Sequence, residues 1–184
     1  YGESKWLAER AVHARAPALE SVVLRVPAVY GPGDDRLEPL VRAALRGVAP
    51  MPMPDQALSM IDVDDCARAV ALLVMAPVAP GTTYWVEDGE AYTPRGMAEA
   101  IATHAGRRVR VVPVPRPLLT LAARAAEWNA RRTHTPAFLT RDKLRDALAP
   151  AWRCSADTLR RDTGFAPRHT FPARLPDILA ALGR

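Results

Sequence analysis

A tyrosine and a lysine stand four residues apart at the start of the chain, at Tyr1 and Lys5. In a helix, residues at this spacing lie on one face, so the ammonium can act on the phenol. A free tyrosine titrates near about 10 and is almost inert as a base at neutral pH. Lowering that pKa by about three units requires roughly 4 kcal/mol of preferential stabilisation of the phenolate, much of which a nearby cation can supply. The pair is therefore a candidate for proton exchange with a substrate, and the alternative is an ordinary amphipathic surface helix.

Lysine is rare in this chain, which gives Lys5 additional weight. Of the 25 basic residues only Lys5 and Lys143 are lysine, and the others are arginine. A compact ammonium on a flexible stem can approach a ribose and a phenol where a planar guanidinium would not fit.

The elements that must position this pair follow a helix, loop and strand order. Residues 1–16 have helical spacing of apolar side chains, and Pro17 ends the helix. The apolar face of this helix is predicted to consist of Trp6, Leu7, Ala11 and Val12. Residues 21–26 form a valine-rich run, which is typical of a strand buried on both faces of a parallel sheet. This order is half of a doubly wound α/β unit.

The segment after this strand reads Arg-Val-Pro-Ala-Val-Tyr-Gly-Pro-Gly at positions 25–33. Its two prolines and two glycines predict a stiff, tightly turned loop. Ligands of open α/β sheets bind outside the carboxyl ends of the strands, so this loop is a candidate binding segment. A generic strand-to-helix turn is the alternative. A phosphate loop at 31–36 is excluded, because a third glycine is missing and two aspartates would repel phosphate.

Several segments resemble the extended branch of the short-chain dehydrogenase/reductase family, which includes sugar-nucleotide epimerases, dehydratases and related reductases. They are Tyr-x-x-x-Lys at 1–5, Arg-x-x-x-Val-Tyr-Gly-Pro at 25–32, Ile-x-Val-x-Asp-x-Ala-x-Ala at 61–69 and Leu-x-x-x-x-Gly-Phe-x-Pro at 159–167. The resemblance covers essentially the whole chain, but only the second half of the family's sequence.

This resemblance implies a role for each candidate site residue. Tyr1 would be the general acid/base on a substrate carbonyl or hydroxyl, and Lys5 would hold the nicotinamide ribose and lower the pKa of Tyr1. The backbone of Pro27, Ala28 and Val29 would lie beside the nicotinamide. The implied cofactor is NAD or NADP, and the choice stays open because the residues that read the ribose 2′ position lie upstream.

The predicted fold class is α/β. We expect the C-terminal portion of a Rossmann-type doubly wound parallel sheet and a smaller mixed α/β substrate-binding lobe. Residues 1–30 would be the last helix and strand region of a truncated dinucleotide-binding domain. Residues 31–184 would be mainly the substrate-binding lobe, with 57–76 returning to the Rossmann sheet.

Two aspartates and one long helix carry further expectations. Asp62 or Asp64 is predicted to cap the amides of the helix that follows it rather than to act as a catalytic acid. Residues 117–131 form an Ala/Leu-rich helix, which we expect to pack over an apolar pocket or core; the alternative is a membrane-surface helix. Its apolar face would consist of Leu118, Leu121, Ala122 and Ala125.

Composition excludes several other classes of protein. The net charge is +5, but the arginines are scattered among acidic residues, so we expect no nucleic-acid partner. Cys66 and Cys154 match no metal or redox spacing, and no histidine pair has ligand spacing, so no metal is expected. No run of 18 apolar residues exists, and a membrane span is therefore not expected. The reduced cysteines indicate a cytoplasmic protein.

The sequence thus predicts the C-terminal fragment of an NAD(P)-dependent oxidoreductase, epimerase or dehydratase. The apolar stretch 115–126 favours a small-molecule substrate such as an apolar alcohol or ketone over a nucleotide sugar. A non-catalytic NAD(P)-binding regulatory member is a further alternative. We expect the fragment alone to be inactive and weakly stable, and a homodimer is plausible because the helix bearing the tyrosine often pairs between subunits in the family.

Overall fold

The structure is a computed structural model that describes residues 2–15, 18–133, 144 and 147–183. The chain divides into two compact units. The first consists of Tyr1–Gly31, Ser59–Ala91 and Arg153–Arg174, and the second of Pro32–Leu58, Tyr92–Trp152 and Leu175–Arg184. Each unit is built from three separate stretches of sequence, so the two units are not simply an N-terminal half and a C-terminal half.

The first unit begins with helix α1 (Gly2–His13) and contains two parallel strand pairs. Strand β1 (Val23–Arg25) pairs with Thr83–Trp85, and strand β2 (Ala28–Tyr30) pairs with Met60–Asp62. A continuous buried cluster forms the core of this unit. Its members are Ile61, Ala69, Leu73, Tyr84, Val86, Leu159 and Phe165.

The second unit also contains two parallel strand pairs. A short 3₁₀ helix (Asp35–Leu37) leads into α2 (Glu38–Leu45), and strand β3 (Val48–Met51) pairs with Arg110–Pro113. Strand β4 (Ala57–Leu58) pairs with Ala151–Trp152. An antiparallel bridge joins Leu58 to Tyr92.

The remaining elements complete the order along the chain. They are β5 (Met60–Asp62), α3 (Val63–Met75), β6 (Thr83–Trp85), α4 (Pro94–His104), β7 (Arg110–Pro113), α5 (Arg116–Thr133), β8 (Ala151–Trp152), α6 (Asp157–Thr163) and α7 (Phe171–Ala181). All four described strand pairs are parallel, so the α/β prediction is confirmed.

Local sequence accounts for several element ends. Thr93 precedes Pro94 and accepts a hydrogen bond from the Gly96 amide at 3.0 Å, which caps α4. Gly164 ends α6 in the left-handed conformation at φ 68°, where a glycine is favoured. The helix and strand boundaries lie within a few residues of those predicted, since these stop and start signals act locally.

One glycine is required by a close approach. A Cβ atom built on Gly31 would lie 2.6 Å from the Cγ1 atom of Val63, the first residue of α3. Such a separation is far inside van der Waals contact, so any larger residue at this position would force Val63 or the turn after β2 to shift.

Two sequence predictions about this fold are wrong. The segment 25–33 is not only a loop, because Ala28–Tyr30 pairs with β5 as a strand. The apolar face of α5, which we expected to pack over an apolar pocket or core, is exposed in the described part of the chain. Strand β1 is half-buried, and the apolar face of α1 is exposed.

Among the described helices, none combines the length and the apolar character that crossing a bilayer requires.

Candidate active site and a buried carboxylate cluster

The lysine of the predicted catalytic pair is accessible. Lys5 lies in α1, is exposed, and lines a groove of about 660 Å³ in the first unit. Apolar residues form much of the groove wall, including Trp6, Val12 and Val22. Tyr1 lies outside the described residues, so the geometry of the pair stays a prediction.

Polar contacts fasten α1 to the strands beside it. The Arg25 guanidinium donates from Nη2 to Glu9 Oε1 at 2.6 Å and from Nε to Oε2 at 3.0 Å. His13 Nε2 lies 3.1 Å from Thr83 Oγ1 on β6. No described side chain of α1 is buried, so these contacts rather than apolar packing define where the helix lies. Lys5, Glu9 and His13 follow one another at four-residue spacing and share one face.

Glu9 and Arg25, which we call the brace of α1, form an ion pair that solvent partly screens. Hydrogen bonds from Arg25 hold the pKa of the Glu9 carboxyl below its usual range. The Arg25 guanidinium also stands 5.0 Å above the centroid of the Trp85 ring, a cation–π distance. Glu9 is therefore ionised at neutral pH and keeps Arg25 in a fixed orientation at the end of β1.

The predicted nicotinamide segment is ordered by the sheet. Ala28 and Val29 belong to β2, where Ala28 is exposed and Val29 is half-buried; Pro27 precedes the strand and is half-buried. The groove at Lys5 reaches Val26, and none of Pro27, Ala28 and Val29 lines it. Assignment of Pro27, Ala28 and Val29 to the cofactor stays a prediction.

The other tyrosines are committed to the interior. The Tyr30 hydroxyl is buried, 2.8 Å from Asp88 Oδ2, and the Tyr84 hydroxyl donates to Asp162 at 3.1 Å. Burial raises the pKa of the Tyr84 phenol. Tyr92 is 9% exposed. Since the chain has four tyrosines, Tyr1 is the one phenol that these observations do not assign to core structure.

A second group of ionisable residues lies at the start of α3. Asp62 and Asp65 are fully buried, and Oδ2 of Asp62 accepts from Arg174 Nε at 2.9 Å. Oδ2 of Asp65 accepts from the amides of Arg168 at 2.8 Å and His169 at 2.9 Å. We call the two aspartates, His169 and Arg174 the carboxylate cluster.

The carboxylate cluster has the ligand types of a metal site, but each of its carboxylate oxygens already accepts a hydrogen bond. Ligand atoms of Asp62, Asp65 and His169 lie within 4.8 Å of one another. However, the remaining Asp62 oxygen accepts from the Asp64 amide at 2.9 Å, and the remaining Asp65 oxygen accepts from Arg68. A cation would have to compete with these donors, and the hydrogen bonds join the start of α3 to the segment 168–174.

Burial and hydrogen bonding oppose each other at Asp65. Desolvation works to raise the pKa of this carboxyl, but the amides of Arg168 and His169 and the Arg68 guanidinium outweigh it. The pKa of Asp65 therefore lies below its ordinary value, and the group stays charged inside the protein.

The sequence identified half of this arrangement. Asp62 is the N-cap of α3, as predicted, and Asp64 lies in the first turn. The partners Arg168, His169 and Arg174 were missed, because they come from a segment about a hundred residues later. Only an excess of charge around 168–174 hints at them in the sequence.

The cysteines do not add a reactive site. Burial raises the pKa values of the Cys66 and Cys154 thiols, and at Cys154 a hydrogen bond involving Ser59 opposes part of that rise. Both are reduced.

A further groove of the first unit is mainly apolar. It has a volume of about 720 Å³, and Val22, Leu24, Val70 and Leu73 line it together with Val74. Val74 is 77% exposed. This surface joins β1 to α3.

Comparisons with known proteins agree with the motifs. No family model matches the chain. The ceramide reductase of Caulobacter vibrioides is 30% identical over 158 residues, which are 85% of this chain and 49% of the relative. The decarboxylating sterol-4-alpha-carboxylate 3-dehydrogenase of Schizosaccharomyces pombe is 34% identical over 139 residues, 70% of this chain and 41% of the relative. The chain thus spans less than half the length of these two curated relatives.

Solved structures share the fold. RMD from Pseudomonas aeruginosa, complexed with NADPH, has a TM-score of 0.69 at 20% identity and matches 97% of this chain and 53% of its own. UDP-glucuronic acid 4-epimerase from Bacillus cereus, in complex with UDP-glucuronic acid and NAD, has a TM-score of 0.71 at 13% identity. It matches 100% of this chain and 52% of its own.

The parallel strand pairs, the flanking helices and these neighbours define the class of protein: an α/β chain that corresponds to about half of a Rossmann-type fold. The chain belongs to the extended short-chain dehydrogenase/reductase family and matches the C-terminal part of it. The family prediction is confirmed.

Proposed function

We propose that this chain is the C-terminal part of an NAD(P)-dependent oxidoreductase that acts on an alcohol or ketone of a lipid. One observation carries the substrate class. The two curated relatives, at 30% and 34% identity, are named for ceramide and for a sterol carboxylate, and both names describe redox enzymes with lipid substrates.

Lys5 is suited to binding the ribose of a nicotinamide cofactor. Its ammonium is a multiple donor suited to ribose hydroxyls, and it lies exposed on a groove with apolar walls. The brace of Glu9 and Arg25 one turn along α1 supports this role, because it fixes the helix that carries the lysine. Pro27, Ala28 and Val29 would border the ring.

The mechanism assigns the proton to Tyr1. Its phenol donates a proton to the substrate carbonyl oxygen in reduction and its phenolate accepts one in oxidation, with the Lys5 cation lowering its pKa. When bound, the nicotinamide supplies or accepts the hydride at its C4 atom. The buried positions of Tyr30, Tyr84 and Tyr92 support this assignment by elimination.

Catalysis is expected to need residues beyond this chain. The exposed apolar groove between β1 and α3 is the kind of surface that further strands of a Rossmann sheet would cover. We therefore expect the isolated chain to be inactive. Pairing of two copies through the exposed apolar side chains of α1, such as Trp6 and Leu7, is a further proposal, which light scattering would test.

The decisive test replaces Tyr1 by phenylalanine in the intact protein. With NADPH or NADH and a ceramide or sterol ketone, Tyr1→Phe should lower turnover by about 10²–10⁴-fold, because the proton donor is lost. Tyr84→Phe is the matched control, since it removes a phenol hydroxyl that donates to Asp162. Near-normal turnover by Tyr1→Phe would refute the mechanism.

Substrate class is tested in the same assay. A nucleotide sugar is the alternative, because the solved UDP-glucuronic acid 4-epimerase is a neighbour, although its likeness at 13% identity extends only to the fold. Turnover of UDP-glucuronic acid, with no reaction on lipid ketones, would overturn the lipid assignment. Cofactor binding without turnover of either class would favour a regulatory member of the family.

A further inference from the structure

Helix α5 presents its larger apolar side chains to solvent. Leu118, Leu121 and Trp128 are 57%, 63% and 57% exposed. Ala123, by contrast, is fully buried. The helix has 18 residues and is therefore about 27 Å long. The second unit of the chain therefore exposes leucine and tryptophan side chains that do not take part in core packing.

These exposed side chains form a stripe. Leu118, Leu121, Ala125 and Trp128 are spaced by three or four residues, which places them on one face of the helix. Leu119, Ala123 and Ala126 occupy the opposite, inward side and are buried or half-buried. We call the exposed set the α5 stripe. The prediction that Leu118 and Leu121 pack over a core is therefore wrong.

The charged residues of α5 are mostly of one sign. The helix contains Arg116, Arg124, Arg131 and Arg132 against a single acid, Glu127, a net charge of +3. The Arg132 guanidinium lies 3.7 Å from the centroid of the Trp128 ring. Glu127 is half-buried, so no acidic side chain belongs to the stripe itself.

We propose that the α5 stripe docks on the surface of a bilayer that carries anionic headgroups. Leucine and tryptophan would enter the boundary between headgroups and acyl chains, and Arg124 and Arg132 would remain at the level of the phosphates. Tryptophan is favoured at this depth because its ring is apolar and its N–H is polar.

Charge favours a bilayer over a second copy of the chain. Pairing two α5 helices would bring two sets of net charge +3 together, whereas an anionic surface is complementary to them. The high fraction of arginine also suits a helix that lies in the interface.

The biological purpose rests on the proposed function. A ceramide or sterol substrate resides in a bilayer, so docking would hold the enzyme where that substrate is found. The binding step itself does not depend on activity, and the two proposals can fail separately.

The test measures flotation of the intact protein with vesicles. We expect it to float with vesicles of phosphatidylcholine mixed with phosphatidylglycerol, to float less with phosphatidylcholine alone, and to be released by high salt. Leu121→Ser combined with Trp128→Ser should weaken binding by about tenfold or more, because both apolar contacts are lost. Leu19→Ser is the matched control, since Leu19 is 58% exposed outside α5, and it should bind like the unchanged protein.

A second pair of variants separates charge from apolar insertion. Arg124→Gln combined with Arg132→Gln should remove most of the preference for phosphatidylglycerol. Equal melting temperatures and unchanged turnover of a short, water-dispersed ketone would establish that all variants are folded.

Other outcomes would overturn the proposal. Absence of flotation, or flotation that the α5 variants leave unchanged, would exclude docking through this face. A fall in molecular mass of the Leu121→Ser, Trp128→Ser variant by light scattering would assign the stripe to a contact between copies. Flotation without turnover of lipid ketones would leave docking intact and refute the proposed function instead.

Discussion

Two regions of the molecule use ionisable groups to hold a helix in place. They are the α1 edge, which consists of Lys5, Glu9 and Arg25, and the carboxylate cluster. The first is exposed to solvent and the second is buried. At α1, Glu9 and Arg25 are 17% and 39% exposed, and Lys5 is accessible to solvent. In the cluster, Asp62 and Asp65 have no exposed surface, and their four carboxylate oxygens all accept hydrogen bonds.

The difference in exposure indicates which of the two regions can bind a ligand or exchange a proton with one. A group that exchanges protons or binds a ligand must be able to gain a new partner. The cluster has the richer set of acids and cations, but its donors and acceptors already satisfy one another. The α1 edge has fewer ionisable groups, but the Lys5 ammonium there is exposed to solvent, and the Glu9–Arg25 ion pair holds the helix that carries it.

The largest effect should come from removing a buried charge. Asp65→Ala leaves Arg68 and two amides without their acceptor and should cost about 3–5 kcal/mol of unfolding free energy. Urea unfolding of the intact protein measures this. Asp157→Asn is the control, because that side chain is 81% exposed, and should change stability by less than about 1 kcal/mol.

The pH dependence of the same site has a definite sign. Because the pKa of Asp65 is lowered in the folded protein, its contribution is fully present above the ordinary aspartate range of about 3.9. It is lost as the pH falls through the lower pKa of the folded state, where the unfolded chain binds more protons. Asp65→Ala should therefore flatten the acid limb of a stability-against-pH curve. An unchanged acid limb would show that Asp65 is not held charged by the fold.

An intermediate effect is expected where β2 passes α3. Gly31→Ala places a methyl group 2.6 Å from Val63 and should destabilise the protein by about 1–3 kcal/mol through overpacking. Gly2→Ala is the control, since nothing lies within 4 Å of a Cβ atom there, and alanine in a helix should be neutral or stabilising. Equal thermal unfolding of the two variants would contradict the close approach.

The smallest effect is expected at the brace of α1. Glu9→Gln should cost about 0.2–1 kcal/mol, because the pair is partly exposed and screened by water. Since the pKa of Glu9 is lowered, this contribution is present at neutral pH and fades as the pH falls below the ordinary glutamate range of about 4.3. High salt should also reduce it. A loss as large as that of Asp65→Ala would erase the contrast between the two regions.

Local signals predicted much of the fold. Thr93 before Pro94, Gly164 after α6 and Asp62 before α3 each mark a helix end through contacts within four residues, so the sequence alone locates them. Strand β2 was missed because the prolines and glycines on either side of it indicate a turn, and only the distant β5 supplies hydrogen-bonding partners for it. The exposure of the α5 stripe was missed for a related reason. An apolar helix face predicts burial, but the sequence does not show which other element, if any, packs against it.

The sequence by itself determined the family, through the spacing of Tyr1 and Lys5 and the segments at 25–32, 61–69 and 159–167, because those patterns are local and survive without coordinates. The tertiary structure alone decided which charged side chains are buried and which are exposed. Arg174 reaches Asp62 across 112 positions and His169 reaches Asp65 across 104, while Lys5 remains exposed. Burial and pairing at such separations depend on how the chain folds back on itself, and no window of sequence contains both partners.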